Sequence, residues 1–192
     1  MNFKNAFFII FITFLGIQAS AQKYLSLDTT EVKKEWEGSN FTSTKTFAEN
    51  IEEAPQFSIL MNILEQDKLR QALEKEEMLT IFAITDSAFL ELPKKSRDSI
   101  LGDPELTTSI VKHLCVPGRL DSYSLKAAIK KNNGIIFLAT LEGEKLGVKE
   151  VNGQLELIDS EKRTAKIVAS DFNHKNGFFH IVEGLIFPTS EE

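Results

Sequence analysis

Apolar positions change their spacing along this chain, and the change predicts helices before strands. Phe57, Leu60, Met61 and Leu64 recur at helical spacing, and Leu69 with Leu73 continue it in a second short amphipathic turn. Met78 to Ile84 is then a mostly apolar run of strand length. Thr85-Asp86 follows directly and is expected to cap a helix carrying Ala88, Phe89 and Leu92, which Pro93 ends. Ser96 and Asp103 are the next cap candidates, and Asp103-Pro104 puts proline at the first position of a helix bearing Ile110, Val111 and Leu114. That helix is expected to stop at Pro117-Gly118, and another fits Ser124 to Lys131 before the turn signal Asn133-Gly134. Beyond it the runs are strand-like: Ile135 to Leu141, Lys145 to Val151, Gln154 to Asp159, Thr164 to Ala169 and Phe178 to Val182, with Asn152-Gly153 as the strongest hairpin signal. Helices followed by strands predict an α+β domain, an antiparallel-rich β-sheet with several short helices.

The N-terminus follows another logic. Lys4, the apolar run from Ala6 to Ile17 and the small residues Ala19-Ser20-Ala21 have the three parts of a cleavable secretory signal. A membrane anchor needs about 20 apolar residues, and this run stops short of that at Gln18. The expected organisation is a signal peptide over 1–21, a loosely packed polar extension over 22–44 with Trp36 and Phe41 as its large aromatics, one domain over 45–189, and a tail over 190–192. No later segment is apolar enough to span a bilayer, so the expected location is secreted or periplasmic, without a transmembrane anchor in the mature chain. Asn40-Phe41-Thr42 fits a glycosylation acceptor, which matters only in a eukaryotic secretory pathway, and the short signal suits a bacterial exporter equally well.

Charge and reactive residues narrow the function. A net charge of −6, with its basic pairs scattered, argues against nucleic acid, whose binding rests on clustered Lys and Arg. The single Cys115 leaves an exported domain without an internal disulfide, so an apolar core must hold it. His113, His174 and His180 lack the spacing of a zinc site, and no Gly-x-Ser-x-Gly elbow, Ser-x-x-Lys pair or phosphate-cradling glycine loop occurs. No cofactor is expected. His180 alternates with Phe179 and Ile181, which predicts a partly buried ring with a fixed hydrogen-bond partner.

Three ordered segments resemble the fasciclin-like domain family. Thr80-Ile81-Phe82-Ala83-Ile84-Thr85-Asp86-Ser87-Ala88-Phe89 is similar to that family's first signature, with Ile84 where proline is usual. Val111 to Arg119, containing Pro117 and Gly118, is similar to its helix end running into Val-Pro-Gly, with His113 and Leu114 in the places of Tyr and His. Asn176-Gly177-Phe178-Phe179-His180, continuing to Pro188, is similar to its second signature and is the most specific match. Thr46 to Ile51 followed by Phe57 to Leu60 adds a weaker match at the usual domain start.

The resemblance implies a wedge of sheet and helices that serves adhesion or surface and matrix attachment, with an extracellular or envelope protein or glycan as partner and no catalysis. Within it Thr80, Phe82, Thr85, Asp86, Ala88, Phe89, Pro117, Gly118, Asn176, Gly177, His180 and Pro188 are implied to be structural. Some animal relatives use an Asp-Ile pair before the Asn-Gly for receptor binding. Asp171-Phe172 occupies that place and is the candidate partner contact, although Phe replaces Ile and no Glu-Pro precedes it. The alternative is a small-ligand or hydrolytic cleft beside Thr85, Asp86 and His180. Gly177→Val is expected to disturb folding, because Asn-Gly turns commonly need positive φ.

Overall fold

A strand buried on both faces carries no polar alternation, and β3 (Leu79–Ile84) is buried at every position. It lies inside a seven-stranded sheet in the order β4 (Cys115–Pro117), β3, β9 (Gly177–Glu183), β8 (Thr164–His174), β7 (Gln154–Ile158), β6 (Lys145–Val151), β5 (Ile135–Ala139). The computed structural model describes residues 30–189 apart from Gln66; the expected signal over 1–21 and the tail over 190–192 lie outside them. No helix among the described residues is long and apolar enough to cross a membrane.

Five short helices, α1 (Phe47–Glu52), α2 (Ser58–Leu64), α3 (Asp67–Lys75), α4 (Asp86–Leu90) and α5 (Lys94–Leu101), precede the longer α6 (Pro104–His113). After β4 (Cys115–Pro117) comes α7 (Ser122–Lys131), and then β5 (Ile135–Ala139), β6 (Lys145–Val151), β7 (Gln154–Ile158), β8 (Thr164–His174) and β9 (Gly177–Glu183). The fold is the expected α+β class with a mostly antiparallel sheet. One pairing is parallel: β3 lies beside β9 with Phe82 opposite His180. Caps account for several helix starts. Thr46 and Glu49 form a reciprocal capping box on α1, Asp103 accepts from the Glu105 and Leu106 N–H groups with Pro104 at the first position of α6, and Asp121 accepts from Ser124 on α7.

Four expectations need correction. Phe41 does not sit on a loose extension. It belongs to a hairpin of β1 (Lys33–Trp36) and β2 (Ser39–Thr42), is 1% exposed, and meets Phe172 and Phe179 edge-on with ring centroids 5.2 Å away. The stretch before Pro117-Gly118 is not helix to its end, because residues from Cys115 leave α6 to pair antiparallel with β3. The strand from Thr164 runs past Ala169 to His174, its ladder displaced by irregularities on either side of Ala169. The Asp86 carboxylate does not cap its own helix. It accepts from the Ser58 hydroxyl and the Ile59 N–H at 2.5 and 2.8 Å, serving the start of α2 instead.

Candidate functional site

The residues singled out in three separate segments converge on one stretch of backbone, from Gly118 to Ser122, that leads into α7. The Thr80 hydroxyl, on β3, donates to the Gly118 carbonyl at 2.8 Å and accepts from the Leu120 N–H at 2.9 Å. On the neighbouring β9, His180 reaches the same turn, its Nε2 lying 2.8 Å from the Leu120 carbonyl. Its Nδ1 accepts from the Asp171 N–H at 3.3 Å. Because that N–H can only donate, the ring proton sits on Nε2 and is given to Leu120. His180 is fully buried, Phe82 stacks on it at 5.5 Å between ring centroids, and burial pushes its pKa below the ordinary value. At neutral pH the ring is an uncharged brace.

Asp171 closes the network from β8. It sits between Ala169 and Phe172, where the ladder shifts register, at φ 63°, a conformation Asp tolerates better than most residues. Its carboxylate accepts from the Ser122 N–H at 2.6 Å and the Ser122 hydroxyl at 2.5 Å, so it holds the first residue of α7. Asp171 keeps 35% of its side chain exposed. Phe172 beside it is 1% exposed, stacked on Phe179 at 5.0 Å, and leaves no ring face toward a partner.

The other motif residues have equally local duties. Thr85 is buried with its hydroxyl 2.7 Å from that of Ser87, and Ala88 and Phe89 are buried in the core. Asn176 donates its amide to the carbonyls of Leu73, in the last turn of α3, and Glu76, just after it. Gly177 does not have positive φ; a Cβ there would meet the Leu79 carbonyl oxygen at 1.8 Å, so close strand approach requires the glycine. Thr85, Asp86 and His180 therefore do not surround a cleft: Asp86 is committed to α2, and His180 faces Leu120 and Asp171. Burial raises the Cys115 thiol far above its ordinary pKa, which suits packing and disfavours a nucleophilic thiolate. Among the described residues no group of three or more His, Cys, Asp or Glu side chains is placed to hold a metal.

What the network positions is α7, and α7 forms one wall of an open groove of about 730 Å³, a ligand-sized volume. Tyr123, Lys126 and Lys130 line it from the helix, and Gly134, Asn152 and Gly153 from two Asn-Gly turns. Asn152 and Gly153 have φ of 51° and 85°, the geometry of a two-residue hairpin turn. Lys126 ties the walls together, donating to the Gly153 carbonyl at 2.9 Å and pairing with Glu150 at 3.3 Å. Tyr123, 81% exposed, presents an aromatic face, and Lys130 an exposed cation. Sequence reasoning missed this groove. Its only local signals were the two Asn-Gly turns, because the walls meet only in the fold.

A family model of the fasciclin domain matches residues 55–188, and the chain belongs to that family. Human periostin is 23% identical over 144 residues, which is 75% of this chain and 16% of periostin. Transforming growth factor-beta-induced protein ig-h3 of Sus scrofa is 26% identical over 71% of this chain and 18% of its own length. The chain thus spans less than a fifth of these two relatives. Protein sll1483 of Synechocystis is 29% identical over 69% of this chain and 67% of that protein. A solved FAS1 domain pair from the insect cell adhesion molecule fasciclin I has the same fold. Its TM-score is 0.60 at 16% identity, over 74% of this chain and 51% of that one.

Proposed function

We propose that this chain is a secreted or periplasmic interaction module that attaches to an envelope or matrix protein or glycan without catalysis. One observation carries the reading. The polar groups of the motifs, Thr80, Asp86, Asp171 and His180, are engaged in bracing backbone, while the groove beside α7 leaves Tyr123 and Lys130 facing solvent. An exposed aromatic face suits the C–H face of a sugar or an apolar side chain, and a cation beside it suits a carboxylate or sulfate. Of the pair Asp171-Phe172, Asp171 is the member that reaches the surface, and any receptor contact there would run through its carboxylate. The family resemblance and the cell adhesion molecule among the solved neighbours support the same reading.

The test is a solid-phase binding screen of the purified protein against envelope and matrix proteins and polysaccharides, with the Tyr123→Ala variant alongside. Retention on at least one preparation, reduced about tenfold by Tyr123→Ala at unchanged melting temperature, is the expected outcome. Retention on none of them counts against an attachment role. Binding insensitive to Tyr123→Ala moves the contact away from the groove.

A further inference from the structure

The last strand of the sheet, β5, has an open outer edge that pairs with no strand among the described residues. β4 lies near β5 without pairing to it as a strand, and just past the end of β5 the Leu141 N–H donates to the Cys115 carbonyl at 2.9 Å. At the hairpin end the Thr140 N–H donates to the Glu144 carbonyl, and antiparallel ladders alternate bonded with unbonded pairs. Counting back through Ala139 opposite Lys145 and Phe137 opposite Gly147, the backbone groups of Ile135, Phe137 and Ala139 point away from β6. Natural edge strands are usually guarded by charge, proline or a bulge. The run Ile-Ile-Phe-Leu-Ala has no charge or proline, and its pairing with β6 shows no shift of register. Phe137 is 62% exposed.

We propose that this edge is an interface with a second copy of the chain, the two β5 strands pairing antiparallel about a two-fold axis through Phe137. Each copy offers the same outward donors and acceptors, so Phe137 faces Phe137 and Ile135 faces Ala139. Such a contact closes at two copies and forms no open filament. Charge selects both partner and direction. The strand is entered after Lys130-Lys131, both exposed, and left through the partly exposed Glu142 and Glu144, whose carboxylates also accept from the Ser109 hydroxyl and the Thr189 N–H within the same copy. Antiparallel pairing sets the basic entry of one copy beside the acidic exit of the other, whereas parallel pairing sets like beside like. An unrelated extended peptide would satisfy the edge without matching that order of charges. The pair would also carry two copies of the α7 groove, and linked sites gain avidity without new contacts.

Sedimentation equilibrium of the purified protein, from micromolar to about millimolar concentration, is the deciding measurement. A monomer–dimer equilibrium that weakens with salt is expected. Phe137→Pro removes an outward N–H while leaving the β6 ladder intact, and Phe137→Lys sets two ammonium groups on the axis. Each should weaken association by about tenfold or more with circular dichroism unchanged. Lys131→Glu should weaken it by a smaller factor, most clearly at low salt. A wild-type protein that stays monomeric throughout, or a well-folded Phe137→Lys that dimerises like wild type, overturns the proposal. Because Tyr123 is outside β5, its binding test and this one can fail separately.

Discussion

Replacing Gly177 by alanine should cost this fold more than replacing any glycine that merely has an unusual φ. An added Cβ at Gly177 would lie 1.8 Å from the Leu79 carbonyl oxygen and 2.8 Å from its carbon, where real Cβ contacts essentially never fall below 3.0 Å. The neighbour is backbone, so no side chain can swing aside. Leu79 and Gly177 are the first register pair between β3 and β9, and the Leu79 N–H donates to the Asn176 carbonyl at 3.0 Å. The Leu79 carbonyl also lies 3.2 Å from Nε2 of His174. Relieving the clash means parting the strands and weakening both bonds. Overpacking costs about 1–3 kcal/mol and each disturbed bond about 1 kcal/mol, so about 3–5 kcal/mol is expected. For a domain of this size that lowers the melting temperature by about 6–20 °C. Gly153→Ala is the control, because Gly153 has φ +85° with nothing within 4 Å of its added Cβ. It should lose only the cost of left-handed backbone, about 1–2 kcal/mol. Calorimetric melts of the two variants in one buffer decide the matter. Gly177→Ala melting beside wild type, or above Gly153→Ala, would refute the argument from strand approach.

Two further outcomes follow from Asp171 and His174. Asp171→Ala should lose about 2–3 kcal/mol by leaving Ser122 without its acceptor and a non-glycine residue at φ 63°, while Asp171→Asn should lose less, since Asn tolerates that φ and keeps one acceptor; urea melts separate the two. Burial lowers the pKa of His174 from 6.5 to about 4, so the unfolded chain takes up a proton that the folded chain refuses. Stability is therefore full above pH 6.5 and falls as pH drops toward 4, by up to about 3 kcal/mol from this group, and His174→Gln should flatten that part of a melting-temperature profile.

Much of the architecture could be read from local pattern, and what could not depends on partners distant in sequence. The switch from helical spacing at Phe57 and Leu60 to strand spacing after Ile135 is a statement about which faces need burial, and burial follows it. The strand Cys115–Pro117 was hidden because three residues have no period; only antiparallel pairing with β3 makes them a strand. The end of β8 is not legible locally, because Ser170, Asp171 and Asn173 break the apolar pattern although Phe172 and His174 are buried. Phe41 looked isolated among polar neighbours, and its partners Phe172 and Phe179 lie far along the chain. The groove was invisible for the same reason: Tyr123 and Asn152 have nothing in common until α7 lies across the β6–β7 turn.

Asp86 and Asp171 bear most directly on how the fold supports attachment. Each follows or interrupts a strand, and each gives its carboxylate to the start of a helix elsewhere in sequence, α2 for Asp86 and α7 for Asp171. A local cap stabilises one helix; a cap delivered from another element also fixes where that helix stands, α2 relative to the start of α4 and α7 relative to β8 of the sheet. Thr80 and His180 add two more such constraints just before α7. The helix that carries Tyr123 is thus referenced to the sheet by several side-chain bonds, while Tyr123 itself is exposed at its surface. Rigid placement of an exposed aromatic lowers the entropy lost on binding, so if the proposed groove contact exists, the brace and the groove would work as one device, with the bonds that hold α7 setting part of the affinity at Tyr123.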